Sequence, residues 1–143
     1  MRAVVRQVQG LSFVGKADSN HWVVMDATQK VGGNDAGSRP MELVLMALAG
    51  CTGMDVASIL EKMRVTLDDF WMELEADQCA EHPKVFTAIR LKYVLVGEQV
   101  PREAVDRAIE LSQSTYCSVS AMLRKACDIS SEVEIRQSNK NRR

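Results

Sequence analysis

The sequence predicts an α+β fold in which helices pack against antiparallel sheet, and three observations carry that prediction. Short runs of alternating apolar and polar residues fill the first third and the middle of the chain. Two stretches, each opened by a proline, repeat apolar residues at helical spacing. The order of these runs is strands, helix, strands, helix pair, strand. At 143 residues the chain suits one domain, read as 1–143 without internal boundary.

Residues 3–8, 11–14 and 22–26 alternate in the manner of strands, separated by Gly10 and by the polar segment 15–20, which reads as a turn. A polar loop follows over 28–38, holding Gly32, Gly33 and Gly37, glycines of the kind that serve positive-φ backbone. It lacks the G-x-x-x-x-G-K-[ST] pattern, so it is not read as a phosphate cradle. Strands and loop together make up 1–38.

Ser38-Arg39-Pro40 is a helix start, because serine can cap and proline is tolerated where its missing N–H has no intrahelical partner. The helix is expected over 39–63. Its apolar residues, among them Leu43, Val44, Leu45, Met46, Leu48, Met54 and Val56, cover most of the circumference, and such a helix must be buried nearly all round. A chain of this size cannot do that with two layers of its own. Packing against a second subunit is therefore expected, with Ala47, Ala49, Gly50 and Gly53 allowing close approach.

Strands are next expected over 70–76 and 84–96. On the second, Val85, Thr87, Ile89, Leu91, Tyr93 and Leu95 share one face and Arg90 and Lys92 the other, with Gly97 as terminator. Pro101 opens a second helix, whose Val105, Ala108, Ile109 and Ser112 recur at helical spacing. The segment 112–116, Ser-Gln-Ser-Thr-Tyr, is a poor helix interior, so the helix pair 101–126 should break there and restart near Cys117. A last strand falls within 127–136. The tail 137–143 ends in a basic run expected to be frayed and solvated.

Composition excludes several functions. Lys+Arg 18 against Asp+Glu 19 gives a net charge of -1, which offers neither nucleic acid nor an anionic membrane a basic face. The first residues lack the apolar core of about seven to fifteen residues that a secretory signal needs, so a cytoplasmic location is expected. The longest uninterrupted apolar stretch, 43–49, is far short of the roughly 18 residues of a spanning helix. In a reducing compartment Cys51, Cys79, Cys117 and Cys127 are not a disulfide framework, which leaves thiol chemistry or burial.

Two of these cysteines stand out by context. Cys51 lies inside the apolar helix, in Ala49-Gly50-Cys51-Thr52-Gly53, and Cys117 lies where a helix begins. A thiolate at a helix N-terminus is favoured by unpaired N–H groups and the macrodipole, which ranks Cys117 as the better-activated thiol. The competing reading is that both are small buried hydrophobes. Cys79, in a hairpin turn, and Cys127 have no supporting context. With no C-x-x-C or H-x-x-x-H pairing, and His21 and His82 isolated in turns, no metal and no cofactor are expected. Asp68 and Asp69 read as a turn and Glu73 and Glu75 as a solvated strand face, while Ser118-Val119-Ser120 lacks G-x-S-x-G.

The stretch Arg39-Pro40-Met41-Glu42-Leu43, continuing to Ala49-Gly50-Cys51, resembles the central helix of the OsmC/Ohr family, with its P-x-E-L start and mid-helix cysteine. Tyr116-Cys117-Ser118-Val119-Ser120 resembles that family's second cysteine, and the two thiols stand 117 − 51 = 66 residues apart. Met41-Glu42-Leu43 with 55–60 after it is most similar to the YhfA-like branch. The resemblance implies an intertwined homodimer, with antiparallel sheets from both subunits wrapped around two central helices and paired sites at the interface. It also implies a thiol-dependent peroxidase acting on small or lipid-like organic hydroperoxides, regenerated by a thiol reductant. Cys51 is then peroxidatic and Cys117 resolving, the reverse of the ranking by helix position. The family's glutamate directly follows the helix-start proline, where this chain has Met41; Glu42 projects about 100° further round the helix. The family's hairpin arginine is also absent. Lys16 and Arg39 are the candidate substitutes, although an ammonium lacks the bidentate fork of a guanidinium. The alternative function is a non-catalytic binding protein on the same fold, with an apolar ligand in a pocket at the dimer interface.

Overall fold

A computed structural model of the chain describes residues 1–138; the basic run at 139–143 lies outside the described residues. The described residues divide into two compact units, Met1–Met46 and those from Ala47 onward.

In the first unit β1 (Ala3–Gln9), β2 (Ser12–Ala17) and β3 (Val23–Met25) form an antiparallel sheet in that order. Gly10, at φ 56°, makes the β1–β2 turn in the left-handed region that glycine enters without steric cost. The second strand runs on through Gly15 and Lys16, which the sequence placed in a turn. Gly15 pairs with Val5 on one side and Val23 on the other. A Cβ there would stand 3.1 Å from Met25 Cε and 3.2 Å from Val5 Cγ2, so the glycine is the place where neighbouring side chains cross the sheet.

The loop after β3 is organised by Asp26, which is buried. Its carboxylate accepts from Ser12 Oγ at 2.8 Å and from the backbone N–H groups of Ala27, Asn34 and Ala36 at 2.7, 3.2 and 3.2 Å. Burial pushes its pKa up, but these four donors outweigh it and hold the group below the usual aspartate value. Gly33 is obligatory here, since a Cβ would fall 2.0 Å from Ala27 O.

Helix α1 (Pro40–Lys62) starts in the first unit and runs into the second. Glu42 closes its first turn by accepting from the Arg39 backbone N–H at 2.9 Å, the reciprocal half of a capping box. By length and composition the helix could cross a membrane, a test that the core helix of a soluble protein also passes. Its buried residues are Leu48, Thr52, Val56 and Leu60, one stripe at four-residue spacing.

In the second unit β4 (Asp69–Gln78), β5 (Phe86–Gly97) and β6 (Asp128–Gln137) form a sheet in sequence order. The β4–β5 pairing is antiparallel, as expected, whereas β5 and β6 run parallel. The cause lies in the connection. After β5 the chain passes through α2 (Arg102–Leu111), a π-helical turn (Ser112–Tyr116) and α3 (Ser118–Leu123), and this long crossover returns it to the end from which β5 started. The central strand β5 supplies Phe86, Ile89, Leu91, Tyr93, Val94 and Leu95 to the core, joined by Val105, Ala108 and Ile109 of α2. Val85 lies outside the strand and Thr87 is exposed, so the buried face begins at Phe86 rather than Val85. At Gly53 the helix α1 meets β4, where a Cβ would touch Met72 Sδ at 3.3 Å.

Candidate thiol site

Cys51 and Asp55 are one turn apart on α1 and therefore share a face. Cys117 reaches them from the other side of the sequence. The residues before it, Ser112-Gln113-Ser114-Thr115-Tyr116, are weak helix formers and widen into the π turn, closed by the Cys117 N–H on Ser112 O at 2.8 Å. Cys117 then turns to extended backbone (φ −74°, ψ 97°) and caps α3, its Sγ accepting from the Ser120 N–H at 3.3 Å. The Cys51 and Cys117 sulfurs and a carboxylate oxygen of Asp55 all lie within 4.8 Å of one another. Cys51 and Asp55 are half-buried and Cys117 is buried.

This environment works against the activation that helix position predicts for Cys117. Burial, then a hydrogen bond with Cys51 and the nearby Asp55 charge, push the Cys117 thiol up to about 11, against the single opposing N–H of Ser120. A six-residue helix supplies too little dipole to compensate. Cys117 is a protonated thiol at neutral pH.

A hydrogen-bonded chain leads away from Asp55, and its direction can be deduced. Ser112 Oγ lies 2.9 Å from Asp55 Oδ2 and has one proton, which it must donate to the carboxylate. It therefore accepts from Thr52 Oγ1 at 2.9 Å, and Thr52, its proton spent, accepts from Tyr93 OH at 2.8 Å. Tyr93 accepts from Gln113 Nε2 at 3.3 Å. The Gln113 amide is fixed in that sense because its oxygen takes Arg124 Nη2 at 2.6 Å, and a guanidinium can only donate. The result is a one-way relay, Arg124 to Gln113 to Tyr93 to Thr52 to Ser112 to Asp55. Thr52, Tyr93 and Ser112 are fully buried within it. Burial, the largest influence, raises the Tyr93 phenol above its ordinary pKa despite these bonds.

The remaining sequence candidates have partners of their own. Lys16, on β2, bonds Asn20 Oδ1 at 2.6 Å and lies over the Trp22 ring at 4.9 Å. Arg39 pairs with Glu42 and with Asp35 at 3.2 Å. Cys79 is in the turn between β4 and β5, and Cys127, half-buried, directs Sγ at Leu123 O from 3.5 Å. Asp55 was missed by sequence reasoning, although Cys51-x-x-x-Asp55 places a carboxylate one helical turn from the thiol. Among the described residues Ser120 Oγ is buried without a hydrogen-bond partner.

The model of the OsmC-like protein family matches residues 32–132. Protein YhfA of Escherichia coli (strain K12) is 40% identical over 135 residues, 94% of this chain and 98% of that protein. A hypothetical protein from Aquifex aeolicus VF5 superposes with a TM-score of 0.84 at 29% identity, over 96% of this chain and 97% of the other. An organic hydroperoxide resistance protein OsmC from Legionella pneumophila shares the fold, with a TM-score of 0.69 at 15% identity over 94% and 97% of the two chains.

Proposed function

The chain belongs to the OsmC-like protein family, and from that premise we propose that it is a thiol-dependent peroxidase reducing organic hydroperoxides through Cys51 and Cys117. One observation carries the reading: two thiol sulfurs 66 residues apart in sequence lie within 4.8 Å, beside a carboxylate. The Cys51 thiolate attacks the O–O bond; one oxygen stays on sulfur as sulfenic acid and the other leaves, protonated, as the alcohol. Cys117 then attacks the sulfenic sulfur, water departs and a disulfide forms. Asp55, whose carboxylate oxygen lies within 4.8 Å of the sulfur, relays the Cys117 proton to the departing hydroxide, which leaves as that water. An external dithiol returns two electrons and restores both thiols.

The reading extends to a cytoplasmic homodimer. Burial of α1 is confined to its one stripe, and Met54 on another face is 71% exposed, which supports cover by a second subunit. The family match runs across both compact units, which supports a single domain. Supporting roles for Glu42, Arg39 and Lys16 rest on the family resemblance alone; unchanged turnover in Arg39→Ala would remove Arg39 from the mechanism.

The test is consumption of cumene hydroperoxide with a dithiol reductant, lost in Cys51→Ser. A wild type inactive across several hydroperoxides contradicts the reading. One observation favours a second reading, a binding protein holding an apolar ligand: Met41, 38% exposed, stands where the family's peroxidases carry glutamate. Under it Cys51 reacts with alkylating agents no faster than an ordinary thiol.

A further inference from the structure

We propose that the reduced thiol site is a binding site for one thiophilic divalent cation of the Zn2+ class, held by Cys51 Sγ, Cys117 Sγ and the Asp55 carboxylate. The sequence offered no zinc spacing, because the three donors come from two segments 66 residues apart and only the fold unites them. Two thiolates and a carboxylate are a donor set that zinc accepts, with a water in the fourth position.

The geometry requires little movement. Bond lengths of about 2.3 Å to sulfur and 2.0 Å to oxygen in a tetrahedron put the donors roughly 3.5 to 3.8 Å apart. The three atoms lie within 4.8 Å of one another, so a contraction of at most about 1.3 Å, within side-chain reach, completes the triangle. The outer shell is already in place. Ser112 donates to Asp55 at 2.9 Å and is fixed in turn by Thr52 and Tyr93, which aims the carboxylate as an outer shell aims a metal ligand.

Binding expels both thiol protons to solvent, so affinity rises with pH. It also occupies both sulfurs, so the cation competes with peroxide and with disulfide formation. The site stands whether or not the protein is a peroxidase, because its test needs no turnover.

The experiment is titration of the reduced, chelator-treated full-length protein with Zn2+ against a chromophoric chelator, alongside Co2+ absorption spectra. The expected result is one Zn2+ per chain and a thiolate-to-cobalt charge-transfer band in the near ultraviolet. Both should be lost in Cys51→Ser and in the disulfide form, and kept when Cys79 and Cys127 are both replaced by serine. Asp55→Asn should weaken binding by about tenfold or more. Absence of saturable binding by wild type, or stoichiometric binding retained in Cys51→Ser, overturns the proposal. Should Asp55→Asn fail to fold, Asp55→Glu, which keeps the carboxylate, must retain the cobalt band; its loss in folded protein counts against the site. Zinc binding without peroxide turnover would sink the peroxidase reading alone, and turnover without zinc binding would sink only this one.

Discussion

Asp55 and Cys117 oppose each other electrostatically, and that opposition is measurable. A thiol raised above its unfolded value of about 9 towards 11 binds its proton more tightly in the folded state. Its contribution to stability is complete below the unfolded pKa and is lost as pH rises through the folded one, so Cys117→Ser should flatten the alkaline arm of the stability profile between about pH 9 and 11. Removing the Asp55 charge works in the same direction, since Asp55→Asn lowers the Cys117 pKa and speeds its alkylation at fixed pH. An unchanged alkylation rate would show that the carboxylate does not act on the sulfur. Asp26 has the opposite sign. Its four hydrogen bonds hold the carboxyl below the ordinary value, so its stabilisation is present above about pH 4 and fades as acid protonates it. Asp26→Asn should cost stability at neutral pH and reduce the dependence in acid, read by urea melts across pH. At this scale the two cysteines stood out in the sequence by local context, and the family resemblance gave them their expected roles. The environment that holds the Cys117 proton was not legible, because burial and a facing carboxylate are properties of the fold.

Among the elements, α1 matched its expected limits closely, 39–63 against Pro40–Lys62, because proline fixes a helix start and Arg64 enters the left-handed region just beyond its end. The break over 112–116 was also legible, since a run of serine, threonine and glutamine competes with helical hydrogen bonding; that it would become a π turn closed on Ser112 was not. Gly15 shows the converse case, a turn former held inside a strand by partners on both sides. The parallel β5–β6 pairing escaped because strand direction depends on the whole connection rather than on either strand's residues. The relay through α1, β5 and the π turn joins elements distant in sequence, and Thr52→Val tests it. The variant keeps the shape but strands the Tyr93 hydroxyl and removes a donor from Ser112, which should destabilise by about 1 to 3 kcal/mol. A loss below a few tenths would show that the buried hydroxyls find other partners.

For the whole molecule, the apolar surface that α1 leaves unburied sets the expected assembly. Each large apolar side chain left in water forgoes roughly 1.5 to 3 kcal/mol, and a homodimer recovers that energy. Folding and association are then coupled, so the melting temperature should rise with protein concentration. Sedimentation at sub-micromolar concentration showing a helical monomer with a concentration-independent melt would refute the dimer. The central chemical claim is that Cys51 and Cys117 act as one redox pair, and peptide mapping after a single equivalent of organic hydroperoxide tests it most directly. The account predicts a disulfide joining the peptide of Cys51 to that of Cys117, reversed by a dithiol and absent from Cys51→Ser. Thiols left unchanged, or Cys51 carried to sulfinic acid while Cys117 stays free, would contradict it.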